Sequence, residues 1–281
     1  VKDKAGVYLQ ALEKRGISGI GESGGGYLYS REISAVLSLL RAVDNPLLDI
    51  DLAAAMLSPL AAFTMFQAIA AEHAERIGVG GAAMAQRGAF WLTLHSRVDF
   101  FQWPALAQEV TAATWPEHCE GRSLRCFRSY SLRQGDQLLA LGRTQWAVLG
   151  EKGRLIPFAQ SGFPEDFPFV EREGITEAPA RFRDDLLPEE LVQRHTVRST
   201  DIDMGRHMNN VAYVRLLLDC FPASVLADGK IASMEVHYAA PCLEGEELSV
   251  LCRREGGICR MAVRKPDGKT AVLAAVRFHE K

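Results

Sequence analysis

The chain has 281 residues, 48% of them hydrophobic and 24% charged, enough for a well-buried core or for two domains with extra elements. A formal net charge of −3, with 32 scattered Lys and Arg, leaves no basic face to neutralise a phosphate backbone and excludes nucleic acid as a partner for most of the chain. Apolar runs such as SAVLSLL and LAAAMLSPLAAF are broken well short of the roughly 18 residues that a membrane span needs, and no basic segment leading into an apolar core opens the sequence.

Residues 1–64 read as a helical leader. YLQALEKR, REISAVLSLLRAVD and DIDLAAAML carry apolar residues near helical spacing, among them Ile33, Val36, Leu37 and Leu40, and are separated by GIGESGGG and DNP. GIGESG matches GxGxxG at Gly19, Gly21 and Gly24. A dinucleotide fingerprint needs a buried strand before it and a helix opening on its last glycine. A charged helical stretch precedes it here, so it reads as a flexible loop, and no cofactor is expected.

From residue 65 the pattern changes. FQAIAAEHAERIG predicts a helix, with Phe66, Ile69, Ala70, His73 and Ile77 at spacings of three and four and Gly78 as its C-cap. Strands are predicted over WLTLHSRVDFF, EVTAATW, LRCFRSYSL and QLLALGRTQWAVL, completing a unit over 65–150. Residues 151–188, rich in Pro, Phe, Asp and Glu, show no period, as a linker or covering segment would.

The pattern then returns over 189–281: ELVQRHTVRS as a strand, VAYVRLLLDCF as a helix, and IASMEVHYAA, ELSVLCRR, ICRMAVRK and TAVLAAVRF as a meander. In IASMEVHYAA, Ala232, Met234, Val236 and Tyr238 alternate with Ser233, Glu235 and His237. One helix followed by antiparallel strands, occurring twice, predicts a duplicated α+β unit in which a curled sheet wraps a central helix. The first copy lacks an opening strand.

Six cysteines, at positions 119, 126, 220, 242, 252 and 259, form no CxxC pair and no Cys/His zinc spacing. They read as reduced thiols in a cytoplasmic protein without a metal site.

The run RSTDIDMGRHMNNVAYVRLLLDCFP, starting at Arg198, is similar to the signature of acyl-ACP thioesterases, D-x-D-x-N-x-H-V-N-N followed by the central helix. QAIAAEHAERIGVG, ATWPE and FRSYSLRQGDQLLALGRTQWAVL resemble the first half of the same family in order and spacing. The resemblance covers 65–281 and implies a tandem (double) hotdog that hydrolyses fatty acyl thioesters of acyl carrier protein in fatty acid biosynthesis. Its partner would then be the carrier with its acyl-phosphopantetheine. A double hotdog can satisfy its pairing within one chain or form a homodimer.

By that resemblance Asp203, His207 and Cys242 carry over as catalytic positions and Asn209 and Asn210 as substrate-binding ones. Gly205 stands where the family has a catalytic Asn, and Pro241 where it has a Glu before the Cys; Glu244 is the nearby carboxylate that could reach in. The residues support this chemistry on their own terms. A helix starting near Asn209 and Asn210 offers free backbone N–H groups to an oxyanion. His207 can act as a base, and Asp203 can orient it or activate water. The bland readings are that Asn209 and Asn210 are caps, that Cys242 is a packed thiol, that His73 is a core or groove histidine, and that Trp91 and Trp146 are core with a role in lining an acyl tunnel as the alternative.

GYLYSREISAVLSLLRAVDNPLLDIDLAAAMLSPLAAFT is similar to part of the helicase component of the bacterial AddAB helicase-nuclease, and it holds no GxxxxGK[ST] loop. With an opening Val and a join near Thr64 and Met65, a fused reading frame is expected. Acyl-ACP hydrolysis is the leading reading; acyl-CoA hydrolysis and a catalytically weak acyl-binding module are the alternatives.

Overall fold

The computed structural model describes residues 59–103, 109–203 and 205–279, all within one compact unit, Met56–Lys281. The expectations for residues 1–58, including the glycine-rich loop, lie outside the described residues.

Helix α1 spans Pro59–Arg76, running unbroken across the expected join at 64 and 65. Pro59 suits the first turn, where its missing N–H costs no hydrogen bond. Ala62, Phe63, Phe66 and Ala70 form the buried stripe, and Arg76 complements the negative end of the helix dipole. A short helix α2, Gly81–Gln86, buries Met84; six residues are too few for a period to announce it.

Strands β1 (Phe90–Phe100), β2 (Thr111–Pro116), β3 (Cys126–Gln134) and β4 (Gln137–Leu149) follow, with a two-residue β5 (Leu155–Ile156). The second half has β6 (Leu191–Thr196), α3 (Asn210–Leu218), a short α4 (Ala223–Ala227), then β7 (Ile231–Tyr238), β8 (Glu247–Glu255), β9 (Ile258–Arg264) and β10 (Thr270–Phe278). This is the expected double hotdog, with each half set out as a helix and its antiparallel meander.

The two meanders form one continuous sheet in the order β2-β3-β4-β1-β7-β10-β9-β8-β6, with β5 beside β4. The junction is β1 against β7, antiparallel, with Ser96 opposite Val236 and Val98 opposite Met234. β6, which precedes α3, has no counterpart before α1 among the described residues. On the sheet's inner face α1 packs against β2 and α3. Phe66 stacks on Tyr130, ring centroids 4.8 Å apart, directly over Gly142, where a Cβ would lie 2.6 Å from the Phe66 ring.

The outer face differs from the alternation read in IASMEVHYAA: Ser233 and Glu235 are buried along with Met234 and Val236. The unpatterned stretch after residue 150 is the cause. Ala180 N–H donates to Glu235 Oε1 at 2.8 Å, Asp184 accepts from Arg264 Nε at 2.9 Å, and Phe182 and Leu186 pack on Leu251, Ala262 and Leu273. The segment therefore covers the second half's outer face. No helix among the described residues is long and apolar enough to cross a membrane.

Candidate functional site

The decapeptide folds into a closed loop leading into α3. A 3-10 turn at Ser199–Asp201 ends it on one side, and an isolated bridge between Ile202 and Met208 pins its neck. Inside, Asp203 N–H donates to His207 O and Arg206 N–H to Asp203 O, both at 3.0 Å. Arg206 sits at φ 62°, the one left-handed non-glycine among the described residues. Such a conformation persists only where the surrounding structure imposes it, and it concentrates at functional sites.

This loop brings Asp203 and His207 together. His207 Nδ1 lies 3.7 Å from Asp203 Oδ1, with side chains 45% and 30% exposed, close enough to attract yet longer than a hydrogen bond. Asp203 Oδ1 is anchored by the Gly205 N–H at 2.7 Å. A Cβ on Gly205 would stand 2.9 Å from His207 Nε2 and 3.0 Å from Asp203 Oδ1, so these two side chains fold over a position that has no side chain. The glycine that departs from the family pattern thus has a local geometric reason.

Asn209 is the N-cap of α3: its side-chain oxygen accepts from Val211 N–H at 2.8 Å, and its own N–H donates to Asp201 O at 2.8 Å. Asn210, first in the helix, has a backbone N–H with no acceptor among the described residues, as helix geometry requires of an uncapped N1 amide. Its side-chain Nδ2 donates to Thr93 Oγ1 on β1 at 2.9 Å. Of the two asparagines, one is spent on capping and the other holds an unused donor.

Beside that donor lies a cavity of about 30 Å³, its wall including Asn210, Val211, Thr93, Phe63, Phe66 and Tyr238. Asp203 and His207 stand on the loop before the helix and are not part of the wall. The cavity has room for about one or two waters, and Phe66, seated on Tyr130, forms part of its wall. Trp146 lines the same cavity and donates from Nε1 to Thr144 Oγ1 at 2.6 Å. Trp91 instead packs against the core of Val79, Met84, Ala89 and Val148.

Cys242 is fully buried. Its N–H donates to Tyr213 Oη at 3.0 Å, its carbonyl accepts from Met208 N–H at 2.8 Å, and burial raises its thiol pKa. It supports the neck of the loop from beneath. Pro241 is exposed and its carbonyl accepts from Lys265 Nζ at 2.7 Å. Glu244 is exposed, while the neighbouring Glu246 pairs with Lys265 at 3.1 Å.

The residue that sequence reasoning passed over is Asp201, 1% exposed. Its carboxylate accepts from His195 Nε2 at 2.8 Å, from Arg198 N–H at 2.9 Å and from Arg215 of α3. Burial alone would raise its pKa, but the Arg198 amide, the His195 ring and the Arg215 charge outweigh that and hold it below the ordinary range. The first Asp of the motif is thus the buried brace and the second, two residues on, reaches the surface. The signal was present as the doubled Asp, but sequence does not say which one turns inward.

Two family models match: the acyl-ACP thioesterase N-terminal domain over residues 44–161 and the acyl-ACP thioesterase C-terminal domain over residues 186–280. The chloroplastic oleoyl-acyl carrier protein thioesterase of Coriandrum sativum is 21% identical over 208 residues, 68% of this chain and 56% of that protein. A crystal structure of an acyl-ACP thioesterase from Bacteroides thetaiotaomicron superposes with a TM-score of 0.70 at 20% identity, over 79% of this chain and 90% of that one. An ATP-dependent helicase/nuclease polypeptide of Moorella thermoacetica is 48% identical over 59 residues, 21% of this chain. The chain spans 4% of that protein's length and just over half of the coriander protein's.

Proposed function

We propose that this chain, which belongs to the acyl-ACP thioesterase family through both of its halves, hydrolyses the thioester of fatty acyl-[acyl carrier protein], releasing a free fatty acid and the carrier's thiol. The observation that carries this reading is the Asp203–His207 pair on a loop that ends at the unspent Asn210 amide.

His207, oriented by Asp203, takes a proton from water as the water oxygen bonds to the thioester carbonyl carbon. The carbonyl oxygen becomes an oxyanion facing the Asn210 N–H, where one well-placed donor is worth about 3 kcal/mol. The C–S bond then breaks and the imidazolium returns the proton to sulfur, leaving thiol and acid. Asn209 fixes the helix start and so the direction of that amide. The protonated, enclosed thiol of Cys242 fits a supporting role beneath the loop rather than a nucleophilic one. The carrier's acyl-phosphopantetheine would bring the carbonyl to this loop, with the chain directed past Phe66.

We take 65–150 and 189–281 as the two hotdog domains and 151–188 as the covering linker. The six free cysteines fit a reducing compartment, and we place the protein in the cytoplasm.

The test is release of free thiol from medium- and long-chain acyl carrier protein by the full chain, beside the acyl-CoA of the same length. Wild type should act on the carrier-bound thioester, and His207→Ala and Asp203→Ala should each lose at least about tenfold. Equal rates in wild type and both variants would remove the assignment.

A further inference from the structure

Among the described residues three charged side chains are buried: Asp201, Glu235 and Arg128, at 1%, 2% and 8% exposure. A buried charge is ordinarily matched by an opposite one. Asp201 has Arg215 and His195; Glu235 has His95 at 2.9 Å and Arg277 at 3.7 Å. Arg128 has no carboxylate partner among the described residues. A guanidinium cannot shed its charge, so on the inner face of the first hotdog a cation stands among neutral groups.

Its partners are Thr114 Oγ1, 3.2 Å from Nη1, and His73 Nδ1, 3.2 Å from both Nη1 and Nη2. As the acceptor, Nδ1 is unprotonated, and burial beside Arg128 lowers the His73 pKa. One neutral ring nitrogen therefore occupies the two-pronged opening that fits the two oxygens of a carboxylate. His73 is only half-buried, its ring edge-on to Phe167 at 5.9 Å, and an outward rotation of that ring would vacate the fork.

The opening lies in line with the cavity. Phe63, Phe66, Ala70 and His73 follow one another along the inner stripe of α1, and the cavity is walled by the first two. From Phe66 to His73 is about 10 Å along the helix axis; Ala70 lies between them on the helix, and on the strand side the Tyr130 ring, stacked on Phe66 and hydrogen-bonded to Thr144, separates the cavity from Arg128. Thr144, also in the cavity wall, is the cross-strand neighbour of Arg128.

We propose that Arg128 receives a carboxylate at the far end of the acyl chain, so that the preferred thioesters end in a carboxylate instead of a methyl group. This rests on the thioesterase reading above.

The experiment compares thiol release by the full chain from two acyl carrier protein thioesters of equal length, one ending in CH₃ and one in COO⁻. Equilibrium binding of the corresponding free mono- and dicarboxylic acids is measured alongside. At least tenfold higher kcat/KM for the carboxylate-ended chain is expected, carried by KM. Arg128→Met should erase the preference, and His73→Ala, which opens the fork, should enlarge it and does not depend on removing the buried cation. Equal use of both chains by wild type, or a preference unchanged in Arg128→Met, overturns the proposal. So does acetate stabilising wild type but not Arg128→Met while the two chains are hydrolysed alike, because the fork would then serve anions from solution. If neither thioester is hydrolysed yet the dicarboxylic acid binds more tightly through Arg128, the thioesterase reading fails and the anion site stands.

Discussion

Asn210 on the first turn of α3 donates from Nδ2 to Thr93 Oγ1 on β1 across 2.9 Å, linking the helix of one hotdog to the first strand of the other. The same residue holds the unspent backbone donor, so the tie between halves also aims that donor. Thr93→Val keeps the shape and removes the acceptor, and Asn210 Nδ2 is left without its partner. The expected result is a kcat reduced about tenfold with KM little changed, and a stability loss of about 1 kcal/mol. Steady-state kinetics and urea denaturation check both; an unaltered kcat would mean that the tie does not orient the amide.

Phe66, in the wall of the cavity, rests on Tyr130 over Gly142. Gly142→Ala would set a methyl group where the ring lies and push Phe66 off its seat, while Phe66→Ala would empty that space at a cost of about 3 kcal/mol. Thiol release measured across chain lengths should shift toward longer chains in Phe66→Ala. An unchanged length profile would place the acyl chain elsewhere.

Cys242 is enclosed, and burial raises its pKa, so little thiolate is present at neutral pH. Iodoacetamide should leave it unmodified in the native protein and alkylate it after denaturation, as peptide mass mapping would show. Cys242→Ala should keep most of the thiol-release rate while lowering stability by about 1 to 2 kcal/mol. A hundredfold loss of rate in a folded Cys242→Ala protein would restore a chemical role for the sulfur.

The Asp201 carboxyl is held below its unfolded pKa of about 3.9 by the Arg198 amide, His195 and Arg215. A depressed carboxyl contributes stability above that unfolded value, and the contribution disappears as pH falls toward the folded one. Glu235, held low by His95 and the Ala180 amide against the opposing effect of burial, adds to the same acid limb. The melting temperature should therefore fall steeply between about pH 5 and pH 3. Asp201→Asn, less stable at pH 7, should show a shallower fall, and a variant curve parallel to wild type would refute the linkage.

Much of the architecture could be read because its signals are local. Both meanders and α3 sit where periods of two and 3.6 placed them, while α1 starts at Pro59, seven residues before the helix read from Phe66; α3 begins at an Asn pair because capping chemistry and helix are contiguous in the chain. The alternation in β7 did not mark Ser233 and Glu235 as buried, because residues that close over a sheet from more than fifty positions away leave no trace in its pattern.

The order of residues alone thus settled which of the longer segments form strands and helices and where the polar chemistry gathers, since both depend on neighbours within a few positions. The tertiary structure alone decided which aspartate of DIDMGRHMNN is buried, how deep Cys242 lies, that Thr93 meets Asn210, and that Arg128 has no counter-charge among the described residues. Each of these depends on contacts between elements far apart in the chain, where burial sets the cost of a charge and the worth of a hydrogen bond.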